Sequence, residues 1–448
     1  MTSATPSATT IDRSVVRRAV GAAAMGNAME WYDFGVYAYL ATTIGAVFFP
    51  GSGTTQTIES FATIAVAFIL RPVGSVFFGP LGDKFGRQRV LVTTMLLMAV
   101  ASFLVGVLPS YDQVGLWAPV ALLALRMLQG FSTGGEYGGA ATFIAEYTPD
   151  DRRGFWCSFL EFGTTLGYTL GAAIVTALQL VLPDAAMSAW GWRVPFLLAL
   201  PIGTIGLYLR MKLEDTPAFE QLDTSQMSRF PLTEIVRNAW RSILQCMGLV
   251  LVYNIIVYTV ESYMPTYLSQ VLHIGDTAGL LMVLGLFVLI MAVINQVGRW
   301  SDHVGRKPLL VAADVGIIVL AYPAFLLMSQ GQLALTIIGL LILGALLVLM
   351  LAVMSATLPA MFHTKYRYGG LSIGYNLSTA LFGGTAATVL SSVIAATGMD
   401  IFPAFYLMAA AVVSLVPILT LAETAKKPLQ GSAPARLAPA RPAQADYA

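Results

Sequence analysis

Twelve runs of roughly 20 mostly apolar residues, parted by short polar breaks, constrain this sequence more than any other feature. In hydrocarbon a backbone must satisfy its own polar groups, so each run reads as a membrane-spanning helix. The runs lie at about 18–48, 57–81, 90–109, 116–147, 155–182, 191–210, 241–270, 277–298, 308–328, 333–358, 369–397 and 402–421. The expected fold class is therefore all-α integral membrane. Composition agrees: only 11% of the 448 residues are charged, against about 25% in a soluble domain. A net charge of +1 leaves no basic surplus for a phosphate backbone, which excludes nucleic-acid binding. Cys157 and Cys246 sit in or beside apolar stretches, and His273, His303 and His363 lie far apart. No disulfide framework, metal site or cofactor is expected from them.

Lys and Arg set the orientation, because basic loops stay cytoplasmic. Twenty-two of the 25 basic residues precede span 1, fall in or at the ends of the even-numbered gaps, or lie in the tail. Both termini are thus expected in the cytoplasm of a bacterial-type inner membrane. The Ser/Thr-rich residues 1–17 and the two acids of span 1 argue against a cleaved leader. The expected organisation is a cytoplasmic segment 1–17, a six-helix half 18–210, a polar linker 211–240, a second half 241–425, and an Ala/Pro-rich disordered tail 426–448.

The halves are related by an internal repeat. Gly79-Pro80-Leu81-Gly82-Asp83-Lys84-Phe85-Gly86-Arg87 after span 2 matches Gly298-Arg299-Trp300-Ser301-Asp302-His303-Val304-Gly305-Arg306 after span 8. A weaker pair, Arg152-Arg153-Gly154 and Arg367-Tyr368-Gly369, follows spans 4 and 10. Parallel repeats of this kind place a solute site near the midplane between halves, with rocking giving alternating access.

The G-x-L-x-D-x-x-G-R loop at Gly79 to Arg87 and the Arg126-Met127-Leu128-Gln129-Gly130 stretch of span 4 resemble the major facilitator superfamily. Met29 to Leu40, Leu70 to Gly74, Gln129 to Gly139 and Glu214 to Phe219 resemble more narrowly its metabolite:proton symporters, and among these the proline/glycine betaine (osmoprotectant) transporters, from about residue 20 to 425. The long coiled-coil C-terminus of some osmosensing members is absent, and Glu261 departs from the pattern. The resemblance implies proton-coupled symport of a small zwitterion by a chain working as a monomer, with a carboxylate metabolite (citrate, 2-oxoglutarate, shikimate or an aromatic acid) as the alternative. It also implies that Asp83, Arg87, Asp302 and Arg306 latch the halves in one conformational state rather than touch solute.

Ionisable groups at mid-depth in a helix are costly and mark function by default. Glu30 and Asp33, three residues apart on one side of span 1, are the proton-coupling candidates. The other reading is a static pair of Asp33 with Arg71 joining spans 1 and 2. Arg126 is a candidate grip for a solute carboxylate or, equally, the partner of Glu136. Glu161 and Glu261 are candidates for lining the cavity or for local pairing. Trp31, Tyr37 and Tyr258 are the expected walls of a cage for a quaternary ammonium, which aromatic faces attract; packing is the alternative for the same rings. Glycines at four-residue spacing, 130/134/138 and 163/167/171, are read as close helix packing. Span 5 has Tyr168 after Gly167 in place of the Gly-Pro of resembled drug antiporters, which favours symport.

A membrane enzyme should show a clustered nucleophile and base or a metal box at one face, and none is visible. A channel fits duplicated halves with buried acids less well than alternating access does. With no G-x-x-x-x-G-K-[ST] loop in the sequence, the expected energy source is the proton gradient rather than a nucleotide.

Overall fold

A computed structural model of the chain describes residues 9–51, 53–85, 87–211 and 231–437, with side chains described except at 9–11, 79–91, 209–211 and 231–232. Span 1 is Arg13–Tyr39 continued by Ala41–Phe48, and Asp12 caps its start by accepting from the Ser14 N–H at 2.7 Å. Span 2 is Thr54–Ile69 and Arg71–Phe85, and span 3 is Arg87–Val107. Span 4 is Trp117–Thr133 and Glu136–Tyr147, span 5 is Arg153–Val181, and span 6 is Arg193–Met211. In the second half span 7 is Pro231–Val257 followed by π-helical turns at Tyr258–Tyr263 and Tyr267–Val271. Spans 8, 9 and 10 are Asp276–Val304, Arg306–Met328 and Leu333–Ala360. Span 11 is Arg367–Ser378, a π-helical turn at Thr379–Gly383, and Ala386–Thr397; span 12 is Phe402–Thr420.

The twelve apolar runs each become helix, with ends displaced where a helix continues beyond its apolar part. Span 7 starts ten residues before its run, through a polar stretch that hydropathy does not register as membrane. Among the described residues eight helices are long and apolar enough to cross a bilayer unaided, nine if Asp184–Gly191 and Arg193–Tyr208, bent by 47°, count as one. Span 1 carries Glu30 and Asp33, and span 4 breaks at Gly134–Gly135 beside Glu136, so polar function has diluted both.

Burial separates inner spans from outer ones. The most apolar windows of spans 7 and 10 are 72% and 67% buried, against 39% for spans 8 and 12, so the former lie near the axis and the latter face lipid. The halves meet where span 5 packs on spans 8 and 10 and span 11 packs on spans 2 and 4. The glycine stripes do what their spacing suggests. A Cβ at Gly130 or Gly134 would collide with the span 2 carbonyls of Ala67 or Arg71, and one at Gly163 or Gly167 with those of Ala24 or Ala28 in span 1.

One expectation changes. The chain is ordered well past Ala425: the Arg153 guanidinium donates to the Lys427 carbonyl (2.9 Å), Thr364 N–H and Arg367 donate to the Gln430 carbonyl (2.9 and 2.8 Å), and Ala435 N–H donates to Asp150 (3.0 Å). Ala435–Leu437 then pairs in parallel with Thr9–Ile11, placing the two ends of the described chain side by side. Ala/Pro composition denies this stretch a core of its own, but basic loops of both halves give its carbonyls donors.

Candidate functional site

Span 1 holds Glu30 and Asp33 on neighbouring azimuths, and each meets a different arginine. Asp33 Oδ2 accepts from Arg126 Nη1 at 3.0 Å, and Glu30 Oε1 lies 2.9 Å from Arg71 Nη2; all four side chains are at most 2% exposed. The alternative pairing of Asp33 with Arg71 is not formed: Asp33 belongs to Arg126. Nor does Arg126 pair with Glu136, which accepts from Thr94 Oγ1 at 2.8 Å. Three residues turn a helix by 300°, so Asp33 points toward span 4 while Glu30 points toward span 2. The relative depth of spans 2 and 4, which decides the partner, is not written in spacing. A small cavity inside the first half is lined by Glu30, Asp33, Glu136, Tyr32, Ser102 and Met98.

Aromatic rings do gather near span 1, but around an arginine of the protein itself. The Arg71 guanidinium lies 4.0 Å from the Phe68 ring centroid, 4.8 Å from Phe34 and 5.5 Å from Trp31. Tyr258 of span 7 closes the group edge-on, 5.4 Å from Phe68 and 5.9 Å from Trp31. Tyr37 stands apart, its ring 3.7 Å from the Arg126 guanidinium. Phe68 and Tyr168 are not among the expected walls. Phe68 precedes Arg71 by three residues, the spacing that sets a ring beside a cation on one helix face, and that was its available signal. Tyr168 rests on Trp31 at 5.6 Å.

Glu161 and Glu261 stand at the junction of the halves. Glu161 accepts from Tyr137 of span 4 (2.6 Å) and from Tyr253 of span 7 (2.8 Å), and Tyr137 stacks on Tyr375 of span 11 at 3.9 Å. Glu261 accepts from Thr165 of span 5 at 3.1 Å, and its backbone carbonyl accepts from Tyr39 at 2.8 Å. Among the described residues neither acid has a cation within ion-pair distance. Gain or loss of a proton there changes the charge of the site by one, whereas at Asp33 or Glu30 it makes or breaks an ion pair.

At the end of the bundle that carries both termini, Asp302 of the second half accepts from Gly154 N–H (2.7 Å) and Phe155 N–H (2.9 Å) at the start of span 5. A carboxylate on the free N–H groups of a helix start is favoured by hydrogen bonding and the helix dipole together. Arg306, 3.9 Å from Asp302, donates to Thr424 Oγ1 at 2.9 Å, and Arg367 donates to Glu146 across the halves at 2.6 Å. Asp83 and Arg87 fall in 79–91, outside the described side chains. The weaker repeat is offset by one: Arg153 Nε and Arg367 Nε each donate to the carbonyl eight residues earlier, Ala145 and Pro359.

Comparison with known proteins agrees with this architecture. The profile of the Major Facilitator Superfamily matches residues 22–367. The "Glycine betaine/proline/ectoine/pipecolic acid transporter OusA" of Dickeya dadantii (strain 3937) is 44% identical over 438 residues, covering 95% of this chain and 87% of its own. The "Proline/betaine transporter" of Escherichia coli (strain K12) matches with the same identity and coverage. Among solved structures, the proton:xylose symporter XylE bound to 6-bromo-6-deoxy-D-glucose superposes with a TM-score of 0.75 at 16% identity, over 93% of this chain and 98% of that one. The human organic anion transporter MFSD10 superposes with a TM-score of 0.67 at 18% identity, over 91% and 99%.

Proposed function

Because this chain belongs to the Major Facilitator Superfamily, we propose that it imports a small zwitterionic osmolyte of the proline or glycine betaine type together with protons, by alternating access. The relatives' names supply the solute class. The membrane is then a bacterial-type cytoplasmic membrane, with both termini and the basic even-numbered loops inside.

The observation that carries the coupling is the buried Asp33–Arg126 pair at 3.0 Å. A proton arriving on Asp33 removes the partner charge of Arg126 and loosens the tie between spans 1 and 4; loss of the proton restores the pair. A zwitterion carries no net charge, so each accompanying proton makes import electrogenic, and 100 mV adds about 2.3 kcal/mol per charge to accumulation. Glu161 and Glu261 at the junction of the halves, with no cation beside them among the described residues, offer a partner to a solute with a cationic end.

Proteoliposomes holding the purified chain test this. An imposed inward proton gradient should drive uptake of labelled glycine betaine or proline, a protonophore should abolish it, and citrate should not be taken up. Uptake that persisted with protonophore and followed a sodium gradient would overturn the proposal.

A further inference from the structure

Buried polar groups almost always find partners, so a cluster of buried orphans in one place marks where a polar ligand fits. Such a cluster lies across the junction of the halves. From the first half come Arg71 Nε and Nη1 and the Tyr168 hydroxyl; from the second come Glu261 Oε2, the Tyr258 hydroxyl and Asn254 Nδ2. Each is buried and lacks a hydrogen-bond partner. The rings tie them into one locality. Tyr168 and Tyr258 both touch Trp31 and both lie within electrostatic range of Arg71 and of Glu261. Arg71 and Glu261 are therefore linked through the rings of Tyr168 and Tyr258, beside Trp31 and Phe68.

A second observation points to the same place. Span 7 passes into a π-helical turn at Tyr258–Tyr263, and span 11 does so at Thr379–Gly383 beside it, where Thr379 Oγ1 donates to Asn254 Oδ1 at 3.3 Å. Single π turns break the regular ladder and are found mostly at functional sites. Here the widened turn of span 7 carries both Tyr258 and Glu261.

We propose that Arg71 and Glu261 are the two poles of the solute site, Arg71 taking the carboxylate and Glu261 the ammonium, with the aromatic rings covering the methyl or methylene groups between. This rests on the zwitterion reading above and assigns its ends. The solute carboxylate uses Nη1 of Arg71, while Glu30 keeps its contact with Nη2. The ammonium lies against Glu261 and the faces of Trp31 and Tyr258, the position where charge and ring attraction add. Since one pole belongs to each half, the bound solute ties the halves together, and solutes lacking either charge lose that bridge. The groups facing Glu261 from neighbouring elements are Thr165 of span 5, Tyr39 of span 1 and, at longer range, Glu161.

Three probes of one shape separate the poles: glycine betaine, its uncharged-end isostere 3,3-dimethylbutanoate, and choline, which has the cation without the carboxylate. Binding is measured on the full chain in lipid nanodiscs. Glu261→Gln should weaken glycine betaine by about thirtyfold, near 2 kcal/mol, and leave 3,3-dimethylbutanoate within about threefold. Arg71→Lys, which keeps the charge and loses the planar guanidinium, should weaken glycine betaine about tenfold and leave choline within about threefold. Should Arg71→Lys fail to fold, Tyr258→Leu stands in, with loss expected for betaine and choline but not for 3,3-dimethylbutanoate. Unchanged betaine binding in folded Glu261→Gln overturns the assignment, and so does equal loss of betaine and 3,3-dimethylbutanoate. If the unaltered chain binds neither betaine nor proline, the zwitterion reading itself falls, a result distinct from either.

Discussion

At the residue scale, the difference between carrying a proton and holding a fold rests on Asp33. Asp33→Asn keeps shape and hydrogen bonding and mimics a permanently protonated carboxyl. If Asp33 couples transport, the variant should exchange labelled against unlabelled solute across a vesicle membrane yet fail to accumulate it. If Asp33 only neutralises Arg126, the variant leaves a buried guanidinium unpaired at a cost of about 3–5 kcal/mol and should express poorly. Accumulation regained in Asp33→Asn with Arg126→Gln would then refute coupling. The charged residues themselves were legible in the sequence because each stands out against an apolar run. Their partners were not. Whether Asp33 meets Arg71 or Arg126 depends on how spans 2 and 4 slide along span 1, and no local pattern encodes that register. Trp31 and Tyr258 were expected together and do meet; the cation beside Trp31, Arg71, was expected elsewhere.

At the scale of the element, small residues decide how closely two helices run. Gly130 faces the Ala67 carbonyl so tightly that any side chain must push spans 2 and 4 apart. Gly130→Ala should therefore lower thermal stability in detergent by several degrees and reduce transport, since these spans carry Arg71 and Arg126. Gly21→Ala is the control, because nothing lies within 4 Å of a Cβ there. It should leave stability unchanged or raise it slightly, by up to about 1 kcal/mol from helix propensity. Melting curves of both variants check the pair. Existence and order of all twelve helices followed from apolar run length. The π turn at Tyr258–Tyr263 did not, although Pro265, which has no N–H for the Glu261 carbonyl, was a local signal for it.

For the whole molecule, the relevant free energy is that between states open to opposite sides. Asp302 binds the start of span 5 from the other half, and its loss should release that end of the bundle. Asp302→Asn should slow transport, leave solute affinity within about tenfold, or 1.4 kcal/mol, and speed alkylation of Cys157, which is buried beside the span 10 residue Ser355 in the closed junction. Complete loss of binding in the folded variant would instead place Asp302 in the solute site. Glu423 adds a pH dependence outside the spans. Partial burial raises its affinity for a proton, but the N–H groups of Ala425, Arg306, Lys307 and Thr424 outweigh that and hold its carboxyl below the usual range. A depressed carboxyl contributes stability that is present above its unfolded value and is lost as pH falls through the folded one. Glu423→Gln should therefore flatten the acid side of a stability-against-pH curve measured by thermal melting. Duplication of the halves was legible from two loop motifs, whereas the docking of 426–437 was not, because its bonds use backbone carbonyls, which every sequence possesses.

The parallel pairing of Thr9–Ile11 with Ala435–Leu437 brings the two ends of the described chain together. Ends that lie together can be joined, and a ring can be cut elsewhere. The linker between the halves leaves span 6 and enters span 7 at the same face of the bundle as the termini. A chain opened there and closed through its present ends would be synthesised second half first, with every helix keeping its direction across the bilayer. The order in which the two halves are translated is thus incidental to the assembled transporter, as expected of a molecule grown from one repeated unit.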